Sequence, residues 1–425
     1  MKKAKLLYIF LSMTLILSLL GCTQNHKTGK VKEYAMYQEV TLSLYSTKLM
    51  NSQVWSHSIT AKDQTKMRIK EEVAAYYTLN GSSQEYRQYI LNQLKSESPE
   101  VDLYILQNED VIEYQRAGLL PRIRDFTHSN SLSEYAYRQV TDGNDFFCIP
   151  LLMTGYGFYW NLDLLEQYGL SVPKQKDEFL AVCETLKKNG ITPYVAHKDY
   201  ALVVPALVIG LSEIYESSDK EALLHDLATG KTKISDYMKK GFRFVQLLID
   251  KGYIDVNDAK HRNAKDAGID FVNGKGACLC HSLQLDMSKA SFEYQMTGIP
   301  LSEKGAMAVV GTTHHLTYNT HSPKAEYAKE FIDEVSKKEN LDTIAKELHA
   351  ISVTQNPDYG YLEEQLDDFI STMREKHQIP VRDTKLPFET WGSTRDFIQD
   401  MLSGKTLENV MKEYDQLQHD QIKGE

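Results

Sequence analysis

Short strand-like runs separated by segments with helical spacing recur along most of this chain, and that alternation narrows the folds open to it more than any other feature. Val40-Thr41-Leu42-Ser43-Leu44-Tyr45 alternates with period two, as does a strand with one face more buried than the other. Ile69, Val73, Tyr76 and Tyr77, then Tyr86, Ile90, Leu91 and Leu94, give helical spacing within residues 66–95. Residues 101–106 are strand-like again. Phe179, Val182, Cys183 and Leu186 share one helical face that ends at Gly190, where a C-cap glycine would sit. Residues 241–249 and 325–335 read as further helices. Helices interleaved with short strands predict an α/β architecture, and 425 residues leave room for two or three domains of roughly 150 residues each. The chain has no internal repeat and no low-complexity segment.

The N-terminus has the pattern of an export signal. Met1-Lys2-Lys3-Ala4-Lys5 is basic, and residues 6–20 form an apolar run broken only by Ser and Thr. The run is too short and too abruptly ended for a comfortable membrane span. It closes on Leu19-Leu20-Gly21-Cys22, which resembles the bacterial lipoprotein cleavage box, in which the new N-terminal Cys22 carries diacylglycerol. An uncleaved anchor, or an ordinary signal peptide beside a chance cysteine, is the alternative. On either reading the bulk of the chain lies outside the cytoplasmic membrane. Two or more acyl chains hold stably, since each buried CH₂ contributes roughly 0.8 kcal/mol. The expectation is a protein tethered to the extracytoplasmic face of the cell membrane without spanning it.

With 48 Lys and Arg against 58 Asp and Glu, the formal net charge is −10, and loss of residues 1–21 makes it more negative. No basic patch for nucleic acid is implied. The 26 tyrosines argue against a disordered composition. Apart from Cys22, the cysteines are Cys148, Cys183, Cys278 and Cys280. They are too few for a disulfide scaffold and read as small buried apolar side chains.

Several stretches, taken in order and with their spacing, resemble the extracellular solute-binding proteins of family 1, the maltose-binding type that serves ABC sugar importers. They are Ser98-Pro99-Glu100-Val101-Asp102-Leu103-Tyr104, Arg116-Ala117-Gly118-Leu119-Leu120-Pro121, and Ile149-Pro150 leading to Phe158-Tyr159-Trp160-Asn161-Leu162-Asp163-Leu164-Leu165. Tyr168-Gly169-Leu170-Ser171-Val172-Pro173, Phe271-Val272-Asn273-Gly274-Lys275-Gly276-Ala277-Cys278 and Ala328-Lys329-Glu330-Phe331 follow. The pattern departs at Gln175, where a capping Thr is usual, and at Cys278, where Met is usual. Ser282 and Gln284 stand where Gly and Trp are usual, which bears on ligand size and identity.

The resemblance implies a two-lobed α/β fold of the periplasmic-binding-protein type with a hinged inter-lobe cleft. Residues 1–21 are then a signal peptide and 22–38 a lipidated tether. Residues 39–152 and 302–337 make the N-terminal lobe, and 153–301 and 338–425 the C-terminal lobe. Crossings between lobes are placed near 150–155, 298–304 and 335–341. Ligand is expected between the lobes, where pockets commonly form, and closure creates the surface a permease reads.

A sugar presents hydroxyls that need paired donors and acceptors, and an apolar ring face that packs on aromatics. The resemblance and the strand ends together nominate Tyr45 and Ser46 after the first strand, and Gln107, Asn108 and Glu109 after the second. Ordinary loop polarity is the alternative for these. Thr154 and Tyr156 are nominated beside Gly155 and Gly157, where backbone can approach a ligand closely. Trp160 and Asn161 fit packing better. His281 and Ser282 end a strand of the second lobe. Trp391 matches the family's C-terminal stacking aromatic, with simple burial as the alternative.

Other chemistry is set aside. If residues 276–282 are a strand, Cys278 and Cys280 face one way and His281 the other, so they do not converge on a metal ion. His314 and His315 diverge likewise if extended, and one of them is a candidate to line the cleft. Gly230-Lys231-Thr232 and Gly404-Lys405-Thr406 lack the first glycine of a phosphate loop. No nucleophile elbow or zinc-protease motif is present. The resemblance therefore implies a monomeric, non-enzymatic binding lipoprotein without cofactor, which delivers a mono- or oligosaccharide to ABC permease subunits. A glycan hydrolase with two carboxylates across the cleft, or a binding lobe reporting to a sensor kinase, are the rival readings.

Overall fold

The computed structural model describes residues 38–46, 50–73, 83–123, 127–142, 145–375 and 377–424. The leader, Cys22 and all but the last residue of the tether lie outside the described residues, as does the side chain of Glu109. In chain order the strands are β1 (Glu39–Ser46), β2 (Ile59–Thr60), β3 (Lys66–Val73), β4 (Leu103–Leu106), β5 (Thr141–Asp142), β6 (Asp145–Phe146) and β7 (Ile149–Asn161). They continue with β8 (Tyr194–Val195), β9 (Cys278–Ser282), β10 (Tyr294–Thr297), β11 (Ile299–Ser302), β12 (Gly305–Tyr318) and β13 (Gln378–Pro380).

Except for the small β5–β6 pair, these strands form one sheet in the order β2-β3-β1-β4-β12-β7-β9-β8, with β10 on β7 and both β11 and β13 on β12. The β1 strand runs parallel to β3 and β4, as strands joined through helices do. The long strands β7 and β12 are antiparallel and each changes partner midway. From Ile149 to Tyr156, β7 pairs with β12; from Tyr156 to Trp160 it pairs with β9, and from Phe158 to Asn161 with β10. In the same way β12 pairs with β13 around Val309 and with β4 from His315 to Tyr318.

Burial along these two strands locates the part of the sheet that is not core. Every residue of β7 is buried except Thr154 and Tyr156. Beyond its first two residues, every residue of β12 is buried except Thr313 and His314. Strands covered on both faces read as near-continuous apolar runs, so two polar breaks in otherwise buried strands mark an opening onto the sheet.

Three polar and aromatic clusters fix the surroundings. The Asp102 carboxylate, 2 % exposed, accepts from Ser43 N at 2.8 Å, Ser322 Oγ at 2.5 Å and Lys324 Nζ at 3.0 Å, tying β1 to the segment after β12. Trp160 is fully buried and donates from Nε1 to Thr297 Oγ1 at 3.1 Å. Its neighbour Phe158 packs with Phe179 and Tyr194, at centroid separations of 5.5 Å each. All four described cysteines are buried and free.

Local structure follows the sequence with one correction. The helices Lys176–Lys188 and Ala325–Val335 form where their periodicity places them, and Gly190 takes φ 74° just past the first. Ser83–Lys95 is helical with Tyr86, Ile90 and Leu94 turned to the core. Ile69 and Val73, read as the start of a helix, instead lie in β3 and pair with Leu42 and Ser46 of β1. A spacing of four satisfies both a 3.6-residue and a two-residue period, and β-sheet pairing decided the matter.

Candidate functional site

The polar breaks in β7 and β12 open onto a cavity of about 380 Å³, within the range of small-molecule sites. Thr154 and Tyr156 of β7, Ser282 of β9, and Thr313 and His314 of β12 line it. Met50, Leu152, Tyr200, Gln284, Leu348 and Ala350 complete the wall. Ser282 lies directly opposite Tyr156, and Thr313 opposite Leu152, in the sheet register, so neighbouring strands deliver these side chains to one face.

One side of the cavity is aromatic. The Tyr156 ring lies 4.9 Å from Tyr200 and 5.0 Å from Trp391, centroid to centroid, and Tyr200 and Trp391 are 6.2 Å apart. Trp391, nominated as a stacking residue, begins the helix Trp391–Leu402 and is partly exposed. Tyr200 is held from behind by His197, whose Nδ1 accepts from Asp199 N at 3.3 Å and Tyr200 N at 3.5 Å. With Nδ1 accepting, the Nε2–H of His197 donates to Cys280 O at 3.3 Å. Burial lowers the His197 pKa to about 4, so the ring stays neutral and keeps both roles.

The opposite side is polar. Thr154 Oγ1 donates to Gln284 Oε1 at 2.6 Å, joining β7 to the loop after β9. Thr313 Oγ1 and His314 Nδ1 are 3.1 Å apart. His314 has φ 56°, a left-handed conformation in the middle of a strand, and such strain collects at ligand clamps and switch regions. Asn51 and His349, next in sequence to the lining residues Met50, Leu348 and Ala350, also have positive φ, at 48° and 47°. Adjacent His315 faces the interior: it is fully buried, with Nδ1 at 3.3 Å from Leu106 O and Nε2 at 2.9 Å from Thr312 Oγ1. Of the two histidines weighed for the cleft, His314 is the one that lines the cavity.

The remaining nominated residues lie elsewhere. His281 is 9 % exposed and reaches the site through its ring contact with Tyr200, at 5.7 Å; burial lowers its pKa. Tyr45 and Ser46 end β1 in the core, Tyr45 packing on Tyr86 and Tyr89 at 6.0 and 4.9 Å. Gln107 caps, and Asn108 begins, the helix Asn108–Arg116, and the Asn108 Oδ1 is buried without a hydrogen-bond partner. These four do not line the cavity. Gly155 and Gly157 give close approach on the other face of β7. A Cβ on Gly155 would meet Phe369 Cζ at 2.3 Å, and one on Gly157 would meet Thr297 O at 2.3 Å. Among the described residues no group of three or more His, Cys, Asp or Glu is placed to hold a metal ion.

Sequence reasoning did not nominate Tyr200, Gln284, Met50 or the 348–350 segment. Tyr200 carried a weak signal, an aromatic within the polar turn Lys198-Asp199-Tyr200. Gln284 was marked only as a departure from the family's Trp, and Met50 and the 348–350 segment, on loops distant in sequence, carried no signal.

The family model for bacterial extracellular solute-binding proteins matches residues 76–341. A multiple sugar-binding protein of Streptococcus mutans is 27 % identical over 101 residues, 24 % of each chain. The diacetylchitobiose-binding protein NgcE of Streptomyces coelicolor is 26 % identical over 235 residues, 48 % of this chain and 47 % of its own. The chain thus matches about a quarter and about half the length of these two relatives. A family 1 extracellular solute-binding protein from Bifidobacterium longum subsp. infantis superposes with a TM-score of 0.69 at 16 % identity, over 89 % of this chain and 98 % of that one. The fold is that of the two-lobed solute-binding proteins, and the match over most of the sheet and the cavity-lining strands makes this chain a member of the bacterial extracellular solute-binding protein family.

Proposed function

We propose that the chain captures a mono- or oligosaccharide in the cavity between β7, β9 and β12 and delivers it to the permease subunits of an ABC importer. The observation that carries this reading is the composition of the wall: the Tyr156 and Tyr200 rings, packed against Trp391, stand beside the hydroxyls and amide of Thr154, Ser282, Thr313 and Gln284. Rings pack on the apolar face of a pyranose, and hydroxyls and amides both donate and accept. The likeness to a multiple sugar-binding protein and to a diacetylchitobiose-binding protein supports a saccharide. No Asp or Glu is among the described residues lining the cavity, which favours capture over a hydrolysis that needs two carboxylates.

Residues 39–152 and 302–337 form one lobe, and 153–301 and 338–425 the other. On that division Met50, Leu152, Thr313 and His314 come from the first lobe and the rest of the wall from the second, so a ligand contacts both and favours their closure. Glu109, Asn108 and Gln107 are the first lobe's further candidates, reached on closure; Tyr45 and Ser46, in the core, support the end of β1. Cys22 carries the lipid that holds this monomer on the outer face of the cytoplasmic membrane.

A thermal-shift screen of the purified chain against mono- and oligosaccharides, polyols, amino acids and short peptides tests the reading. A ligand at a thousand times its dissociation constant stabilises by about 4 kcal/mol. A shift with a saccharide, without release of reducing ends, is the expected result. A flat response to all saccharides and a shift with another class would remove the sugar. Palmitate labelling that disappears in Cys22→Ala tests the anchor.

A further inference from the structure

On the face of β7 opposite the cavity lies a recess of about 570 Å³, within the range of small-molecule sites. Successive residues of a strand point to opposite faces, and the lining follows that rule: Leu152, Thr154 and Tyr156 line the cavity and Met153 the recess. Ile351 bridges to Met153, whose N donates to Ile351 O at 2.9 Å. The neighbours of Ile351 divide in the same way, Ala350 to the cavity and Ser352 to the recess. A layer of backbone therefore separates the two, and the recess is not an extension of the cavity.

The polar groups of the recess fall into two sets. In the first, partners within the protein are already found. Ser352 Oγ and Thr354 Oγ1 each donate to Asp342 Oδ1 at 2.6 Å, and the Glu134 carboxylate is held by Arg138 and Lys220, each at 2.8 Å. In the second set they are not. Gln378, 8 % exposed, gives its Nε2–H to Met373 O at 2.7 Å, and among the described residues no hydrogen bond reaches its Oε1. The hydroxyl of Tyr359, 9 % exposed, has no described partner either. Arg374, in the last turn of the helix Asp367–Arg374, makes no ion pair among the described residues, and its guanidinium lies 5.6 Å from the centroid of the Tyr359 ring. Polar side chains this deeply buried nearly always have partners. The recess thus holds an acceptor, a hydroxyl and a cation that the chain itself does not satisfy.

These groups specify a chemistry. A guanidinium held against a ring keeps its N–H edge for two parallel bonds, the arrangement that fits a carboxylate. Glu134 and Arg374 are the only charged groups among the described residues lining the recess. With Glu134 neutralised by its own cations, one positive charge is unspent, which matches a monoanion better than a dianion such as phosphate. Met153 and Met373, 2 % and 5 % exposed, supply apolar surface beside it. Going beyond the reading of the cavity, we propose that the recess is a second, independent binding site for a small monocarboxylate with an apolar body: Arg374 takes the carboxylate, and Gln378 Oε1 and Tyr359 Oη meet an N–H or O–H and an oxygen of the same molecule.

Calorimetric titration of the full chain with phenyllactate, N-acetylphenylalanine and N-acetylleucine, each beside its neutral primary amide, tests this. At least one acid is expected to bind more tightly than its amide by at least about tenfold, as loss of a charged hydrogen-bond partner predicts. In Arg374→Gln, an exposed position, that ratio falls toward one. Tyr359→Phe keeps the ring beneath the guanidinium and removes only the hydroxyl, and it weakens the acid by about threefold. No binding by any of the acids, a ratio unchanged in Arg374→Gln, or an affinity unchanged in Tyr359→Phe overturns the proposal. So does acid binding that survives Arg374→Gln and is lost in Tyr156→Ala, which places the acid in the cavity.

Discussion

Tyr156 and Trp391 meet with ring centroids 5.0 Å apart, one from the middle of a central strand and the other from the first turn of a helix near the C-terminus. Neither ring is fully buried; Tyr156 lines the cavity, and Trp391 supports it from beside the wall. Trp391→Ala and Tyr156→Ala are each expected to weaken ligand binding by at least about tenfold, equivalent to about 1.4 kcal/mol. Calorimetry on the ligand found by thermal shift measures this. Circular dichroism unchanged from the parent separates lost contact from lost fold.

His314 tests whether the strand is strained where it lines the cavity. At an ordinary strand position Val is more favourable than Gly, by up to about 1 kcal/mol. At φ 56° the order reverses, because a β-branched side chain suffers most in the left-handed region and glycine not at all. His314→Gly is therefore expected to be more stable than His314→Val by at least about 1 kcal/mol, read from urea unfolding. The opposite order would show the strand relaxed.

Acid sensitivity should come from histidines that are buried neutral. Burial holds His315 at about 3 and His197 at about 4, both below the ordinary 6.5. Their folded-state values are depressed, so below about pH 6.5 the unfolded chain takes up protons that the folded chain refuses. Stability is complete above pH 6.5 and falls as pH drops from there toward 4, by about 1.4 kcal/mol per pH unit for each histidine. Denaturant unfolding at pH 7.5, 6 and 5 measures the slope. In His197→Gln the slope should be shallower by one histidine's share.

Arg138 is the hub of an ion cluster remote from the cavity wall. Its side chain, 8 % exposed, meets Glu134 at 2.8 Å, Asp383 at 3.7 Å and also Glu221, and Lys385 pairs with Glu221. Asp383 is 5 % exposed, and removal of a buried carboxylate's cation leaves an uncompensated charge. Arg138→Met is expected to lose about 3 kcal/mol. Arg138→Met with Asp383→Asn should recover much of this in the same unfolding measurement, since no charge is then stranded.

The fold was legible because its elements carry local signals. β1 shows its alternation, the helix Lys176–Lys188 its apolar stripe and its glycine stop. β3 was misread because Ile69 and Val73 fit two periods at once. The site was legible only on the central strands, where Thr154 and Tyr156 interrupt an apolar run and family resemblance points to the same place. The wall from Tyr200, Gln284, Met50 and Ala350 is made by loops that meet only after the chain has folded. The left-handed conformation of His314 has no local sequence signature, since histidine is not a residue that demands it.

On the proposed two-lobe division, the change of partner midway along β7 would place the candidate ligand near the pivot between the lobes. Thr154 and Tyr156 sit where the strand passes from β12 to β9, and points near an axis move least when the bodies on either side rotate. On that proposal a ligand seated there would be held by the same few groups throughout closure, while Tyr200, Gln284 and Met50, carried on loops, would sweep through wider arcs. Substitutions at the pivot will change how readily the ligand is first caught, and substitutions on the loops how long it is kept.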